Sequence, residues 1–265
     1  MVKSHLFVYF CQLKMENIPL ISIIMPCYNA EQFVAESIDS VLAQSYQNWE
    51  LVVTDDNSSD STPEIVRNYC EKDNRIKLYL PGIHQGIAQT RNHSLSKANG
   101  RFVAFLDNDD LWVPTKLEHQ VQFMLDNNLA FCYGNYELLN EDGTKKGKII
   151  RHAGVMNYNK YLHNTIIGSG TVMIDTEKTG SLVMPLNETS DDMALWCHLL
   201  KNGYDAYPIN EIILLYRVRN SSASSNKLKA AKDVWRVYRQ QEKLSFFKSL
   251  DCFLGYAFNS VKKRL

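Results

Sequence analysis

The chain has 265 residues, of which 45% are hydrophobic, and its 29 basic residues balance its 29 acidic residues. This size and composition fit one large globular domain, or one domain with an appendage. The lack of a basic excess argues against a nucleic-acid-binding protein. Six scattered cysteines without a C-x-x-C pair predict free thiols in a reducing compartment, rather than a zinc site or a disulfide framework.

The N-terminal region contains a short apolar stretch at residues 6–11. It is far shorter than the roughly 18–20 residues that span a bilayer. It could form a weak signal core or an interfacial anchor, but no small-residue cleavage site follows it. We therefore interpret residues 1–18 as an N-terminal extension. These features favour a cytoplasmic protein that can lie peripherally at the inner face of the cytoplasmic membrane.

Apolar runs alternate with amphipathic stretches through the first half of the chain. The helix before the second strand is predicted to begin at an Asn29 N-cap, with Gln32 completing a capping box. The next helix opens at Thr62–Pro63, and the third runs from Gly86 to Ala98 with Gly100 at its C′ position. This alternation predicts a doubly wound, mostly parallel α/β sheet. Buried strands are predicted over residues 20–26, 49–54, 75–80 and 102–106.

The second half extends the predicted sheet and adds helices. A serine-rich linker over 221–225 separates this part from the C-terminal helices. Residues 153–170 show no clear pattern. Helices are predicted over 114–125 and 192–201, and strands over 131–139, 148–152, 171–174 and 211–217.

Acidic side chains follow two of the predicted strands. Asp55–Asp56 ends one strand, and Asp107, Asp109 and Asp110 end another. Parallel strands place such clusters along one carboxyl edge, where open α/β sheets bind ligands. Clustered carboxylates suit Mn²⁺ or Mg²⁺ held together with substrate phosphates, although an isolated cluster is more often a solvated turn. Neither a dinucleotide-binding G-x-G-x-x-G motif nor a P-loop is present.

The C-terminal stretch 246–264 is predicted to form an amphipathic helix with a broad apolar face and a basic end. Such a helix can lie on a membrane surface. It can equally pack on the domain or on a partner subunit. Its apolar face comprises Phe246, Phe247, Leu250, Phe253, Leu254, Ala257, Phe258 and Val261.

Four segments in this order resemble family-2 inverting glycosyltransferases of the GT-A fold: residues 21–29, 55–58, 86–92 and 107–110. The resemblance spans residues 19–217. It implies a GT-A catalytic domain over 19–225 and C-terminal amphipathic helices over 226–265. The later part resembles bacterial enzymes that build cell-envelope polysaccharides, such as the O-antigen of lipopolysaccharide or teichuronic acid.

The resemblance implies a nucleotide-diphospho-sugar site at the carboxyl edge of the sheet. Asp55 or Asp56 would accept a hydrogen bond from a uracil ring. Arg91 would hold the nucleotide end, and Asp107 would approach the ribose. The matched segments also contribute Pro26, Tyr28 and Asn108 to this site.

The resemblance also assigns the catalytic groups. Asp109 would coordinate Mn²⁺ or Mg²⁺ bridging the diphosphate. Asp192 would be the general base that deprotonates the acceptor hydroxyl, although it could instead be a helix N-cap. Asp191 would line the acceptor pocket, and Trp196 would either shape that pocket or belong to the core.

Two positions depart from the family pattern. Asp191 stands where the family usually has Glu, and Arg219 stands where it often has His. Arginine cannot ligate a metal but can bind phosphate through two hydrogen bonds. We therefore expect Arg217 and Arg219 to contact the diphosphate.

The expected activity is inverting transfer of a sugar from a nucleotide-diphospho-sugar donor, UDP-linked by resemblance, to a hydroxyl of a lipid-linked oligosaccharide. A haloacid-dehalogenase-type phosphatase is an alternative, because Asp107 and Asp109 form a D-x-D sequence after a strand. However, Leu111 occupies the position where that motif needs Thr or Val. A second alternative is a non-catalytic module that binds nucleotide-sugars without using Asp192.

Overall fold

The fold is described from a computed structural model, which covers residues 18–186, 190–219 and 227–262. Nearly all of the predicted N-terminal extension and the predicted linker over 221–225 lie outside the described residues. Nine strands are present in the described part of the chain: β1 (Ile21–Cys27), β2 (Trp49–Asp55), β3 (Ile76–Tyr79), β4 (Phe102–Phe105), β5 (Leu111–Trp112), β6 (Phe131–Leu139), β7 (Lys145–Ile150), β8 (Met173–Asp175) and β9 (Tyr207–Arg217).

Nine α-helices lie within the same ranges, with a 3₁₀ turn at Ser169–Thr171 and a π-helical turn at Val237–Gln241. The helices are α1 (Val34–Leu42), α2 (Thr62–Cys70), α3 (Ile87–Leu95), α4 (Lys116–Asp126), α5 (Tyr158–His163), α6 (Thr176–Thr179), α7 (Asp191–Lys201), α8 (Lys227–Arg236) and α9 (Phe246–Lys262).

The strands form one sheet in the order β3-β2-β1-β4-β8-β6-β9-β5, with β7 beside β6. β1 to β4 are mutually parallel, as the sequence predicts. The later strands make the sheet mixed, because β8 runs antiparallel to both β4 and β6 while β9 runs parallel to β6. The carboxyl ends of β1, β2 and β4 therefore lie side by side.

Two hydrophobic cores cover the two faces of the sheet, and successive residues of β1 alternate between them. Ile23 packs in the core that holds Ile38 of α1 and Leu117 of α4. Ile24 packs in the opposite core, which holds Trp196 of α7. This alternation is the two-residue period of a strand buried on both faces, and it explains why nearly every residue of β1 is apolar.

Several local predictions are wrong. α1 begins at Val34 without a side-chain cap, because Asn29 adopts a positive φ of 45° and bonds to the loop after β2 instead. α3 ends at Leu95, so Gly100 is not its C′ residue. Gly100 is required by close packing, since a Cβ there would lie 2.5 Å from the Ser22 backbone nitrogen.

Other predicted elements have shifted bounds. The strand predicted over 148–152 is β7, Lys145–Ile150, and the strand predicted over 171–174 is a 3₁₀ turn followed by β8. Residues 153–170, which show no clear sequence pattern, contain α5.

The C-terminal helices pack on the body of the protein through α5 and α7. Glu242 accepts hydrogen bonds from Tyr158 of α5 and Lys201 of α7. Asn259 of α9 donates to the backbone oxygen of His163 at 3.1 Å. Within the described residues, no helix combines the length and the apolar character that crossing a bilayer requires.

Candidate active site

The loops after β1, β2 and β4 meet at one edge of the sheet and carry most of the predicted site residues. Asp55 is the last residue of β2, and its carboxylate accepts hydrogen bonds from the backbone N–H and the hydroxyl of Ser58. Asn29 links the first loop to the second, because its backbone N–H donates to the Ser58 hydroxyl and its side chain accepts from Ser59. Asp55 thus shapes a turn that the β1 loop also contacts.

Asp56 holds the segment that leads into α3. Its carboxylate oxygens accept from the backbone N–H groups of Gln85 and Gly86, at 2.8 and 2.9 Å. The His84 ring lies 3.0 Å from the same carboxylate and stacks on Tyr28, with ring centroids 4.5 Å apart. The two rings are tilted by 38° to each other and Tyr28 is half exposed, so this aromatic pair presents an accessible surface at the edge of the site.

The turn after β4 is tied to the end of β1. The Asn108 side chain donates to the backbone oxygen of Pro26 at 2.8 Å. Pro26 is buried, so its part in this contact is its carbonyl group rather than its ring. The contact fixes the position of Asp107 and Asp109, the neighbours of Asn108, relative to the β1 loop.

Arg91 lies at the centre of the site. Its Nη2 donates to Asp107 at 2.7 Å, and its Nη1 donates to Asp191 at 3.1 Å. Burial alone would lower the pKa of Arg91, but the charges of Asp107, Asp191 and Asp192 outweigh it and raise that pKa above its usual value. Its Nε is buried without a hydrogen-bond partner among the described residues. Arg91 thus joins the loop after β4 to the start of α7.

Asp109 and Asp110 have different environments. Asp110 is buried and accepts a hydrogen bond from the Arg217 backbone N–H at 2.8 Å. Asp109 is partly exposed, and Arg219 donates to it at 3.2 Å. Burial raises the pKa of Asp109, and the nearby Asp107 charge raises it further, while Arg219 opposes both. Asp109 therefore offers a carboxylate that a further cation would stabilise.

The environment of Arg217 differs from the diphosphate contact that the sequence predicts. It is buried, and its three nitrogens donate to the Asp109 backbone oxygen, the Glu141 backbone oxygen and the Glu36 carboxylate. Its guanidinium group also lies over the Phe33 ring. Direct contact of Arg217 with a diphosphate does not fit this arrangement, because its side chain is only 1% exposed and each of its nitrogens donates to a group of the protein. Its observed contacts hold the Asp109–Asp110 turn against β9.

Asp192 lies in the first turn of α7, where the sequence reasoning places a general base. Its carboxylate accepts from the backbone N–H of Met193 at 2.7 Å. Burial raises the pKa of Asp192 to about 6, and the Asp191 charge contributes to this rise while Arg91 opposes it. The helix begins at Asp191, so Asp192 is not its N-cap. A carboxylate with such a pKa can accept a proton near neutral pH.

Trp196 belongs to the core. It is fully buried one helical turn after Asp192, and its ring packs against Phe105 of β4 and Phe131 of β6. Its Nε1–H has no partner among the described residues. Of the two roles that the sequence leaves open for Trp196, the core position is the one observed.

The residues at this edge fit a divalent cation held jointly with a substrate. Among the described residues, this edge does not hold three potential ligand atoms within 4.8 Å of one another. The group that meets this criterion is His163, Asp251 and Cys252, in α5 and α9. Asp109 would therefore supply one ligand, with phosphate oxygens supplying others, which is how Mg²⁺ is usually bound beside phosphates.

Three residues that contact the site were not predicted from the sequence: His84, Glu36 and Phe33. His84 follows no motif, although its position two residues before Gly86 places it beside the α3 segment. Glu36 and Phe33 reach Arg217 from α1, far away in sequence. No local pattern could indicate such contacts.

A mixed α/β sheet whose parallel strands carry carboxylates on two adjacent loops, with a further carboxylate pair joined to them by a buried arginine, fits the class of GT-A glycosyltransferases. Comparison with known proteins supports this class. A family model described as glycosyl transferase family 2 matches residues 22–181. The chain therefore belongs to glycosyltransferase family 2, and the predicted GT-A fold is confirmed.

Two similar curated proteins come from bacteria. TuaG of Bacillus subtilis, whose provisional name is teichuronic acid biosynthesis glycosyltransferase, is 47% identical over 93% of this chain and 98% of its own length. The Escherichia coli UDP-Glc:alpha-D-GlcNAc-diphosphoundecaprenol beta-1,3-glucosyltransferase WfgD is 45% identical over 82% of this chain and 85% of its own length. The expected relation to bacterial surface-polysaccharide transferases is thus confirmed.

Solved structures share the fold. Staphylococcus aureus TarS 1–349 in complex with UDP-GlcNAc matches with a TM-score of 0.69 and 21% identity, over 83% of this chain and 64% of the TarS chain. The chain thus spans slightly less than two thirds of that structure. The mannosyltransferase PcManGT of Pyrobaculum calidifontis, in complex with GDP-Man and Mn²⁺, matches with a TM-score of 0.68 and 19% identity, over 92% and 71% of the two chains.

Proposed function

We propose that this glycosyltransferase moves a sugar from a UDP-linked donor to a hydroxyl of a growing, lipid-diphosphate-linked oligosaccharide, with inversion at the anomeric carbon. The observation that carries the proposal is the position of Arg91, which bonds to Asp107 in the loop after β4 and to Asp191 beside Asp192. WfgD, whose name gives a UDP-glucose donor and a diphosphoundecaprenol-linked acceptor, supports these substrate classes.

The uracil ring would be placed at the Tyr28–His84 surface. Tyr28 is half exposed and can offer its ring face to a base. Asp55 and Asp56 are both nearly inaccessible to solvent and already accept hydrogen bonds from the loops that border this surface. We therefore assign both carboxylates to shaping the base site, in addition to any direct hydrogen bond from the ring.

The diphosphate would lie beside Asp109 and Arg219. Mn²⁺ or Mg²⁺ held by Asp109 would offset the negative charge that develops on the departing UDP. The Nε of Arg219 is buried without a partner among the described residues, as is the Nε of Arg91. Arg91 bonds to Asp107 and Arg219 bonds to Asp109, so both unpaired donors belong to side chains that contact the acidic turn, and such donors favour an anionic ligand there. Asp107 is half-buried and would approach the ribose.

Asp192 would act as the general base. Its carboxylate would take the proton of the acceptor hydroxyl while that oxygen attacks the anomeric carbon opposite the leaving UDP. The Asp192 pKa of about 6 leaves the carboxylate ionised at neutral pH yet basic enough to accept a proton. Asp191 would line the acceptor side and keep Arg91 in place.

The proposed acceptor places the reaction at a membrane surface, because a lipid-linked oligosaccharide remains anchored in a bilayer. We therefore propose that the protein works peripherally on a membrane, through the C-terminal segment 246–264. Residues 246–262 of this segment form α9 in the described part of the chain.

A transfer assay tests the proposed activity. Purified protein is given UDP-glucose, Mn²⁺ and a synthetic lipid-diphosphate-linked GlcNAc acceptor, and Asp192→Asn is compared with Asp126→Asn, which alters an exposed aspartate of α4. We expect the wild type and Asp126→Asn to form product with inverted anomeric configuration, and Asp192→Asn to lose about 10²–10⁴-fold in rate while still binding UDP. Unchanged transfer by Asp192→Asn would remove the base assignment.

A further inference from the structure

The last described helix, α9, is apolar on two opposite faces. One face is turned toward the body, where Ser249 and Cys252 are buried and Phe253 packs on Trp235 of α8. The residues on the opposite face are exposed. A surface helix of a globular protein normally presents polar residues on its outer face.

The exposed apolar face forms one continuous stripe along α9. Phe247 and Phe258 are 81% and 70% exposed. The spacing of three and four residues between members keeps the stripe on one side of the helix. We call this set the outer apolar stripe: Phe246, Phe247, Leu250, Leu254, Phe258 and Val261.

Charge is distributed unevenly between this region and the rest of the chain. Residues 227–265 contain ten basic and three acidic residues, a formal net charge of +7, so that residues 1–226 carry −7. Lys229, Lys232, Arg236 and Arg239 are exposed on α8 and the π-helical turn after it. The neutral overall composition therefore conceals a basic C-terminal region.

We propose that the outer apolar stripe inserts into the interfacial region of a bilayer that contains anionic phospholipids, with exposed basic residues of the same C-terminal region contacting their head groups. An amphipathic helix binds such a surface through buried apolar area together with electrostatic attraction to anionic lipid. This proposal deepens the proposed function, because it names the surface on which the lipid-linked acceptor would be met.

A second copy of the chain is a less suitable partner for the stripe. In a two-fold dimer the same patch lies on both subunits, so two segments of charge +7 would face each other. Like charges brought together in this way repel, whereas an anionic lipid surface attracts them. Charge complementarity thus favours the membrane.

The membrane-binding region is connected firmly to the helix that carries the proposed base. Lys201, the last residue of α7, donates to Glu242 at 3.2 Å, and Tyr158 of α5 donates to the same carboxylate. α7 begins at Asp191 and has 11 residues, so it spans roughly 16 Å at 1.5 Å per residue. Asp192, near the first residue of α7, therefore lies about one helix length from the contact between Lys201 and Glu242. Docking of the C-terminal region on a membrane would fix the distance of Asp192 from that membrane.

Vesicle flotation of the full chain tests the proposal without using activity. Vesicles of phosphatidylcholine alone are compared with vesicles that also contain phosphatidylglycerol. The test variant combines Phe247→Ser, Leu254→Ser and Phe258→Ser, and Leu125→Ser, an exposed apolar residue of α4, is the matched control. UDP binding and circular dichroism, measured on each variant, separate loss of docking from loss of folding.

We expect the wild type and Leu125→Ser to float with the anionic vesicles, and added salt to weaken this binding. The triple variant should lose roughly a hundredfold in vesicle affinity while keeping its UDP binding. Failure of the wild type to bind anionic vesicles would overturn the proposal. A dimer in sedimentation velocity that the triple variant dissociates would also overturn it, in favour of a second copy. Neither result would bear on the transfer reaction.

Discussion

Arg91 and Asp191 form a buried ion pair between two residues that are 100 positions apart in the sequence, with 3.1 Å between Nη1 and the carboxylate oxygen. The same guanidinium group bonds to Asp107, so one cation serves two carboxylates from different parts of the chain. Asp192 adds a third negative charge nearby. Arg91 therefore fixes the separation between the loop after β4 and α7, and its positive charge limits the repulsion among the acidic groups.

Replacing Arg91 should be strongly destabilising. Arg91→Met leaves Asp107 and Asp191 without their buried partner, and we expect a loss of about 3–5 kcal/mol in the free energy of unfolding. Arg91→Lys keeps the charge but can no longer bond to both carboxylates in the same geometry, so its loss should be smaller. Urea unfolding of the three proteins measures this order. Equal stability of Arg91→Met and wild type would show that the ion pairs of Arg91 with Asp107 and Asp191 do not stabilise the fold.

The rate of transfer should depend on the ionisation of Asp192. Burial and the Asp191 charge raise its pKa to about 6, and the base must be ionised to accept a proton. We therefore expect kcat/KM to fall about tenfold per pH unit below pH 6, and Asp192→Asn to lack this limb in its residual rate. A wild-type profile that stays flat down to pH 4.5 would show that the base is another group.

The same raised pKa has a consequence for stability. Because the folded state disfavours the ionised Asp192 carboxylate, its contribution is best at low pH and is lost as the pH rises through about 6. Asp192→Asn should accordingly exceed wild type by about 1–2 kcal/mol at pH 7.5, and this advantage should shrink toward pH 4. Denaturant unfolding at both pH values provides the comparison.

A buried lysine outside the site offers an independent prediction. Lys116 of α4 is fully buried, bonds to Gln120 and lies over the Trp112 ring. Burial lowers its pKa to about 7, with the Cys132 thiol opposing the change. Wild-type stability should therefore rise as the pH increases from 7 toward 10, because the unfolded chain keeps a proton that the folded chain releases.

Lys116→Met should remove most of this pH dependence and raise stability at pH 7 by about 1–3 kcal/mol, despite the lost hydrogen bond to Gln120. Thermal unfolding across this pH range measures the effect. Parallel pH curves for the two proteins would mean that the lysine is charged in the folded state.

Trp196 can be assigned by substitution to the core or to the acceptor site. Trp196→Phe removes an Nε1–H that has no partner among the described residues, at the expense of some packing, so stability should change by less than about 1.5 kcal/mol. Trp196→Ala should lose about 3–5 kcal/mol. The KM for the acceptor should be unchanged in Trp196→Phe. A raised KM with unchanged stability would restore Trp196 to the acceptor pocket.

The first half of the fold could be predicted from sequence because β1, β2 and β4 are buried on both faces and consist mainly of apolar residues. The acidic loops could be predicted for the same reason, since the end of each run marks the carboxyl edge. Asp107 and Asp109 are therefore close enough for the charge of Asp107 to raise the pKa of Asp109, and Asp107 bonds to Arg91. The helix boundaries were less predictable, because Asn29 bonds across loops rather than capping its own helix.

The contacts of Arg217 and Trp196 could not be predicted because they depend on tertiary packing. From the sequence, Arg217 could bind a phosphate. In the structure its guanidinium group instead donates hydrogen bonds to the Glu36 carboxylate of α1 and to the Glu141 carbonyl oxygen. Trp196 lies one turn from Asp192, but the helix turns its ring toward β4 and β6. Spacing along a helix places a residue on a face without showing what that face contacts.

Asp109 and its surroundings are proposed to bind a nucleoside diphosphate together with a divalent cation. Calorimetric titration of UDP, with GDP and dTDP for comparison, into wild-type protein and Asp109→Asn, each with and without Mn²⁺, tests this proposal most directly. We expect wild-type protein to bind UDP in preference to GDP and dTDP, Mn²⁺ to strengthen this binding, and Asp109→Asn to lose the Mn²⁺ effect. Equal UDP binding by both proteins with Mn²⁺ present, or no binding of any nucleotide, would contradict the proposal.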